Sequence, residues 1–200
     1  MFILESSIRI YLYAHTHVFL PSLSNRLIDS ANIQKITITK LSWLDDNTVL
    51  AAGADGNIRF WDVSSSDGAL SLSQTLTVDA EVRDMELSRP TNGKTMLTVA
   101  HGTTVSFFDL TDGPGKLLHA HKMPIHFREE GGATLHPDGT KFVAGGSDLW
   151  VRVFDFATGE ELECHKGHHG PIRCLRYAPD GKTYATGSED GTIRIWKTDP

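Results

Sequence analysis

Cys164 and Cys174 are the only cysteines in 200 residues. A lone pair is no disulfide framework, so the composition points to a reducing compartment, cytoplasmic or nuclear. Long apolar runs are missing too. No stretch reaches the roughly 18 apolar residues of a membrane span. Met1 to Leu23 is apolar in places but is interrupted by Glu5, Arg9, His15, His17 and Pro21. It also lacks the basic start of a secretory leader, so no membrane partner is expected. Basic charge is in deficit. A net charge of −6 and a pI near 5.9 do not suit a chain built to grip phosphate backbone. They leave room only for a local or indirect RNA association. There is no phosphate-cradling glycine loop, nucleophile elbow or Cys-x-x-Cys pair. The chain is therefore expected to be no enzyme, with no catalytic residue, cofactor or metal.

Glycine is plentiful, at 18 residues, and it punctuates a repeat. Four stretches end alike: Ile58-Arg59-Phe60-Trp61-Asp62, Val105-Ser106-Phe107-Phe108-Asp109, Val151-Arg152-Val153-Phe154-Asp155 and Ile193-Arg194-Ile195-Trp196-Lys197. The anchors at 61, 108, 154 and 196 are 47, 46 and 42 residues apart. That period belongs to blade-type repeats. The last unit reads most clearly as strands. Ile172, Leu175 and Tyr177 are followed by a turn at Ala178-Pro179-Asp180-Gly181, a short strand from Lys182 to Gly187, and a hairpin at Asp190-Gly191. Thr192 to Trp196 then alternates apolar and polar residues. Between units, Ala69 to Val78, Gly115 to His121 and Glu160 to His165 supply a fourth strand. The expected fold is all-β, with four-stranded blades at about 36–77, 78–121, 122–165 and 166–200 after an atypical segment at 1–35. A β-sandwich also spaces its strands regularly, but it does not end every third strand in an aromatic and Asp.

Gly167-His168, Thr186, Asp190 and Trp196 match the structural tetrad of the WD40 repeat, which this unit resembles. A buried turn carboxylate needs donors, and an imidazole, a hydroxyl and an indole N–H form such a chain. The earlier units degrade the pattern: Asp55, Gly102 and Asp148 stand for Asp190, and Ala51, Thr98 and Ala144 for Thr186. Blades 1 to 3 are expected to rely on apolar stacking. Arg59, Arg152 and Arg194 share a column, read as outward residues whose stems cover the neighbouring sheet or as a contact for acidic peptide or RNA. Cys164, His165, His168, His169 and Cys174 lie close in sequence without zinc-ligand spacing. In blade 3 the hairpin tip reads Asp148-Leu149-Trp150. Leu149, Trp150 and nearby His169 are the candidate protein-binding rim, unless Trp150 folds back on its own blade.

From Asn47 onward the likeness is narrower. Thr158-Gly-Glu-Glu-Leu-Glu163 joined to Lys166-Gly-His-His-Gly-Pro-Ile172 is similar to the C-terminal half of the serine–threonine kinase receptor-associated protein family. It resembles the i subunit of translation initiation factor 3 less specifically. The first resemblance implies a seven-bladed, non-catalytic adaptor in the cytoplasm and nucleus. It also implies partners in the survival-of-motor-neuron complex, hence small nuclear ribonucleoprotein assembly and mRNA splicing, and in transforming-growth-factor-β receptor signalling. The second implies a translation initiation subunit. Seven blades need roughly 300 residues, so the chain is expected to be a C-terminal portion of a ring, with a preceding blade's remnant at Ser7 to Tyr11. Unpaired sheet edges are then expected to drive self-association. At Arg128 to Gly132, a loop insertion before the first strand of blade 3 is expected.

Overall fold

A computed structural model describes residues 36–64, 69–127 and 131–198. It contains fifteen strands in four antiparallel sheets and, among the described residues, no helix. Blade 1 holds β1 (Ile38–Asp45), β2 (Thr48–Gly53), β3 (Asn57–Val63) and β4 (Leu70–Thr77) in that spatial order. Blade 2 holds β5 (Val82–Ser88), β6 (Met96–His101), β7 (Thr104–Asp109) and β8 (Lys116–Lys122). Blade 3 holds β9 (Gly132–Leu135), β10 (Lys141–Gly145), β11 (Trp150–Asp155) and β12 (Glu161–Lys166). Blade 4 has three strands, β13 (Ile172–Tyr177), β14 (Thr183–Ser188) and β15 (Ile193–Lys197). The first strands touch in sequence, β1 on β5, β5 on β9 and β9 on β13, so they form the inner wall. This is the arrangement of a propeller fragment. The expectations placed on residues 1–35, and on 128–130 of the blade 3 insertion, lie outside the described residues.

The repeat has a structural cause. Trp61, Phe108, Phe154 and Trp196 pair with Val49, Leu97, Phe142 and Tyr184, the same place in each sheet. In the three complete blades the third strand slips register against the fourth immediately before that aromatic. Such a bulge twists the strand and re-aims the side chains beyond it. Phe108 turns toward blade 1, Phe154 toward blade 2 and Trp196 toward blade 3, each entering the apolar layer shared with its neighbour. Alternate residues face the other neighbour: Ile58 and Phe60 bury against Val82, Met85, Leu97 and Val99 of blade 2. No sheet could bury both its faces alone, which is why the blades stack. The two outer faces of the described arc stay open, with Leu41 and Trp43 exposed on blade 1 and Ile193 and Ile195 on blade 4.

One ion pair spans two junctions. Asp84 on β5 is buried and receives Arg176 of β13 in a fork, Nη1 to Oδ2 at 2.7 Å and Nη2 to Oδ1 at 2.9 Å. The guanidinium passes over β9, where a Cβ on Gly132 would collide with Asp84 Oδ2. Glycine at 132 is what leaves room for the carboxylate. Arg176 Nε is also 3.5 Å from Glu86 Oε1. Burial pushes the Glu86 carboxyl up to about 7, with Arg176 pulling the other way.

Candidate functional site

The polar groups singled out in the sequence gather where the loop entering each blade meets the hairpin between its second and third strands. In blade 4 they form a continuous chain. Asp190 can only accept, so His168 donates its Nδ1–H to Asp190 Oδ2 at 3.1 Å. His168 Nε2 then accepts from the Thr186 hydroxyl at 2.8 Å. The indole N–H of Trp196 donates to the same Thr186 oxygen at 2.8 Å. His168 and Thr186 are buried. Asp190 takes a further bond from the His169 backbone N–H at 2.8 Å and one from the Thr192 hydroxyl at 2.7 Å. Those two donors, the His169 N–H foremost, hold its carboxyl far below the usual range. The network ties three strands and the entering loop at one point.

Blades 1 to 3 do not depend on apolar stacking in the way the sequence led us to expect. In blade 1, Arg59 meets Asp55 in a fork, 3.2 Å from Nη1 to Oδ1 and 2.5 Å from Nη2 to Oδ2. The pairing lowers the Asp55 carboxyl to about 2. In blade 3, Arg152 pairs with Asp148 and places Nε 3.2 Å from Glu161 Oε2. The arginine column is therefore not an outward surface for acidic peptide or RNA: Arg152 is buried and Arg59 is held in the hairpin. Only Arg194 departs, its Nε buried without a hydrogen-bond partner.

Blade 2 builds its link from other residues, none of which the sequence reading selected. His101 closes β6 with Nε2 2.9 Å from the Ser106 hydroxyl and Nδ1 2.8 Å from Asp79 Oδ1. The carboxylate now sits in the entering loop and the imidazole beside the hairpin, the reverse of blade 4. Desolvation lowers the His101 pKa against the pull of Asp79. The column assigned to Thr98 also needs correcting. Val99, not Thr98, pairs with Ser106 as Thr186 pairs with Arg194. A slip of one residue turns a side chain to the other face, and the Thr98 hydroxyl is buried without a partner. One signal was available: Asp-x-x-x-Arg recurs at Asp55, Asp148 and Asp190, across a turn short enough for the pair to meet.

Leu149 occupies the hairpin position held by Gly56 and Gly191, whose φ values are 75° and 78°. It adopts φ 71°, the single non-glycine residue with positive φ among those described. A side chain there costs about 1–2 kcal/mol. Trp150 is half-buried rather than presented at the tip. Lys166, its cross-strand partner, places Nζ 4.1 Å from the ring centre, and the Arg152 guanidinium carbon lies 5.1 Å from it. His169 is exposed and is fixed through its backbone bond to Asp190, with no stacking on Trp150. Cys164 and Cys174 are free thiols. Among the described residues no three His, Cys, Asp or Glu side chains converge as metal ligands would.

The WD domain, G-beta repeat family (WD40) matches residues 31–62 and 159–197. The serine-threonine kinase receptor-associated protein of Dictyostelium discoideum is 40% identical over 163 residues, which cover 80% of this chain and 51% of that protein. The Homo sapiens protein of that name is 34% identical over 162 residues, 80% of this chain and 43% of its own. Eukaryotic translation initiation factor 3 subunit I of Culex quinquefasciatus is 30% identical over 173 residues, 79% of this chain and 50% of its own. The chain spans about half the length of the curated relatives it matches. Four stacked sheets, a His168–Thr186–Asp190–Trp196 network and these matches agree: the chain carries WD40 repeats and is similar to the serine-threonine kinase receptor-associated proteins.

Proposed function

We propose that the chain is a non-catalytic adaptor that holds other proteins on the loop-and-hairpin rim, with Leu149, Trp150 and His169 among the contacting residues. The observation that carries this reading is where the reactive side chains go. Asp79, His101 and Ser106 have the distances of an acid–base relay, yet His101 and Ser106 are buried, out of reach of a substrate. His168, Asp190 and Thr186 are likewise spent on one another. Groups locked in this way stabilise a rim and leave it to bind rather than react. The likeness to kinase receptor-associated proteins supports partners in receptor signalling. The resemblance of Thr158 to Ile172 to that family supports a place in ribonucleoprotein assembly linked to mRNA splicing, with RNA reached through other proteins. Cytoplasm and nucleus are the compartments this reading requires.

Affinity purification of the tagged chain followed by mass spectrometry tests the proposal. Sm-loading and receptor-complex proteins should dominate, and nuclease treatment should not release them. Recovery of initiation factor subunits instead would transfer the chain to the translation reading, which the 30% identity to subunit I favours. A turnover detected against general hydrolase substrates and lost in Ser106→Ala would refute the non-catalytic part.

A further inference from the structure

We infer that the blade 3 hairpin, Ser147 to Trp150, together with Lys166 docks a partner segment that sets an apolar side chain beside carboxylates. The inference rests on the rim reading above and adds the chemistry of the partner. It begins from the strain at Leu149. The same turn is made in blades 1 and 4 by Gly56 and Gly191 in the same conformation, so the fold does not need a leucine there. Strained residues persist where they serve a site, and a half-buried leucine at a rim offers apolar contact.

The charges around that contact are lopsided. Among the described residues the carboxylates near it are engaged: Asp148 and Glu161 with Arg152, Glu189 with Arg173 and Asp190 with His168, while Glu163 Oε2 lies 2.9 Å from His165 Nε2. Lys166 is exposed and has no carboxylate partner among the described residues; its ammonium lies over Trp150. His126 is exposed on the neighbouring loop, whose carbonyl accepts from the Ser147 hydroxyl at 2.9 Å. His169 is exposed on the next loop. Lys166 thus sets an ammonium without a carboxylate partner at an apolar rim, on a chain whose net charge is −6. A leucine and an ammonium without a carboxylate partner complement an acidic peptide carrying leucine or phenylalanine. Single-stranded RNA fits less well. A base would need the Trp150 face that Lys166 covers, and Arg59 and Arg152 of the third strands are already paired.

Binding of fluorescein-labelled probes to the whole chain, read by anisotropy, tests this. The probes are a short peptide alternating leucine with glutamate, its lysine-for-glutamate counterpart, and an oligouridine. The glutamate peptide should bind at least about tenfold more tightly than the other two. Leu149→Gly should weaken it about tenfold while raising Tm by about 2 °C, because the turn is relieved. That opposition is something a purely structural leucine would not produce. Lys166→Glu should weaken binding further while lowering Tm, as the ammonium leaves the Trp150 ring. Equal binding of the two peptides, preference for oligouridine, or undiminished binding by Leu149→Gly would each overturn the inference. Those results leave the adaptor reading intact; its own failure would appear separately, as no protein co-purifying with the wild-type chain.

Discussion

Blades 3 and 4 share a spacing and use it differently. Asp148 and Asp190 each precede an arginine by four residues, Arg152 and Arg194. In blade 3 the pair closes on itself. In blade 4, His168 and the His169 N–H reach the carboxylate first, and Arg194 Nε is left buried without a hydrogen-bond partner. Blade 2, with Gly102 at that turn, moves the carboxylate to Asp79 and the imidazole to His101. What stays constant is the job, a polar tie at the second hairpin. The residues that do it are interchangeable, an arginine fork in blades 1 and 3 and an imidazole in blades 2 and 4.

The largest effect should come from breaking the blade 4 chain in its middle. Thr186→Val keeps the shape but strands His168 Nε2 and the Trp196 N–H, and should cost about 3 kcal/mol in denaturant melts. A linked effect of similar size concerns pH. Glu86, at about 7 when folded against 4.5, holds more protons in the native state between those values. Its contribution is therefore complete below pH 4.5 and is lost as pH rises through 7, about 3 kcal/mol in all. Glu86→Gln should remove that slope from a stability–pH profile.

His168→Ala sharpens the comparison directly. It should cost about 2 kcal/mol rather than more, because Asp190 is released to take Arg194 as Asp148 takes Arg152. A double-mutant cycle with Arg194→Ala should show coupling of about 1 kcal/mol or more, and strict additivity would refute the exchange. The smallest effect belongs to blade 2. Its His101 pKa lies below the usual value of 6.5, so the unfolded chain takes up the proton first as the solution is acidified. Blade 2 should lose protection in hydrogen exchange as pH falls below 6.5, whereas the depressed Asp190 protects blade 4 until below about 3.8. His101→Gln should abolish the difference at a cost of about 1 kcal/mol, because the titrating imidazole is gone.

How much was legible before the coordinates depends on the range of the interaction. The third strands were plain from Trp61, Phe108, Phe154 and Trp196, because a strand that must bury one face on each neighbour writes that need locally. His168, Thr186, Asp190 and Trp196 could be picked out because all four lie within one repeat. The arginine ties were misread since a column of like residues looks like a surface until each partner across the turn is sought. Thr98 was misplaced because Met96 to His101 is apolar almost throughout, and a strand buried on both faces carries no alternation to fix its register. Asp84 and Arg176 are 92 residues apart, and nothing in a single repeat announces them. A charged residue between Val82 and Met85 was the one hint, since a carboxylate in a buried strand requires a cation.

The Arg176 fork onto Asp84 acts on the arc as a string acts on a bow. It subtends two blade junctions, so the reach of one side chain ties the angle between blades 2 and 4 in addition to the two packed layers. Arg176→Lys has a shorter head with no fork. It should let that angle open while leaving every sheet intact, a change that small-angle scattering would register as a flatter curve and circular dichroism would not register at all.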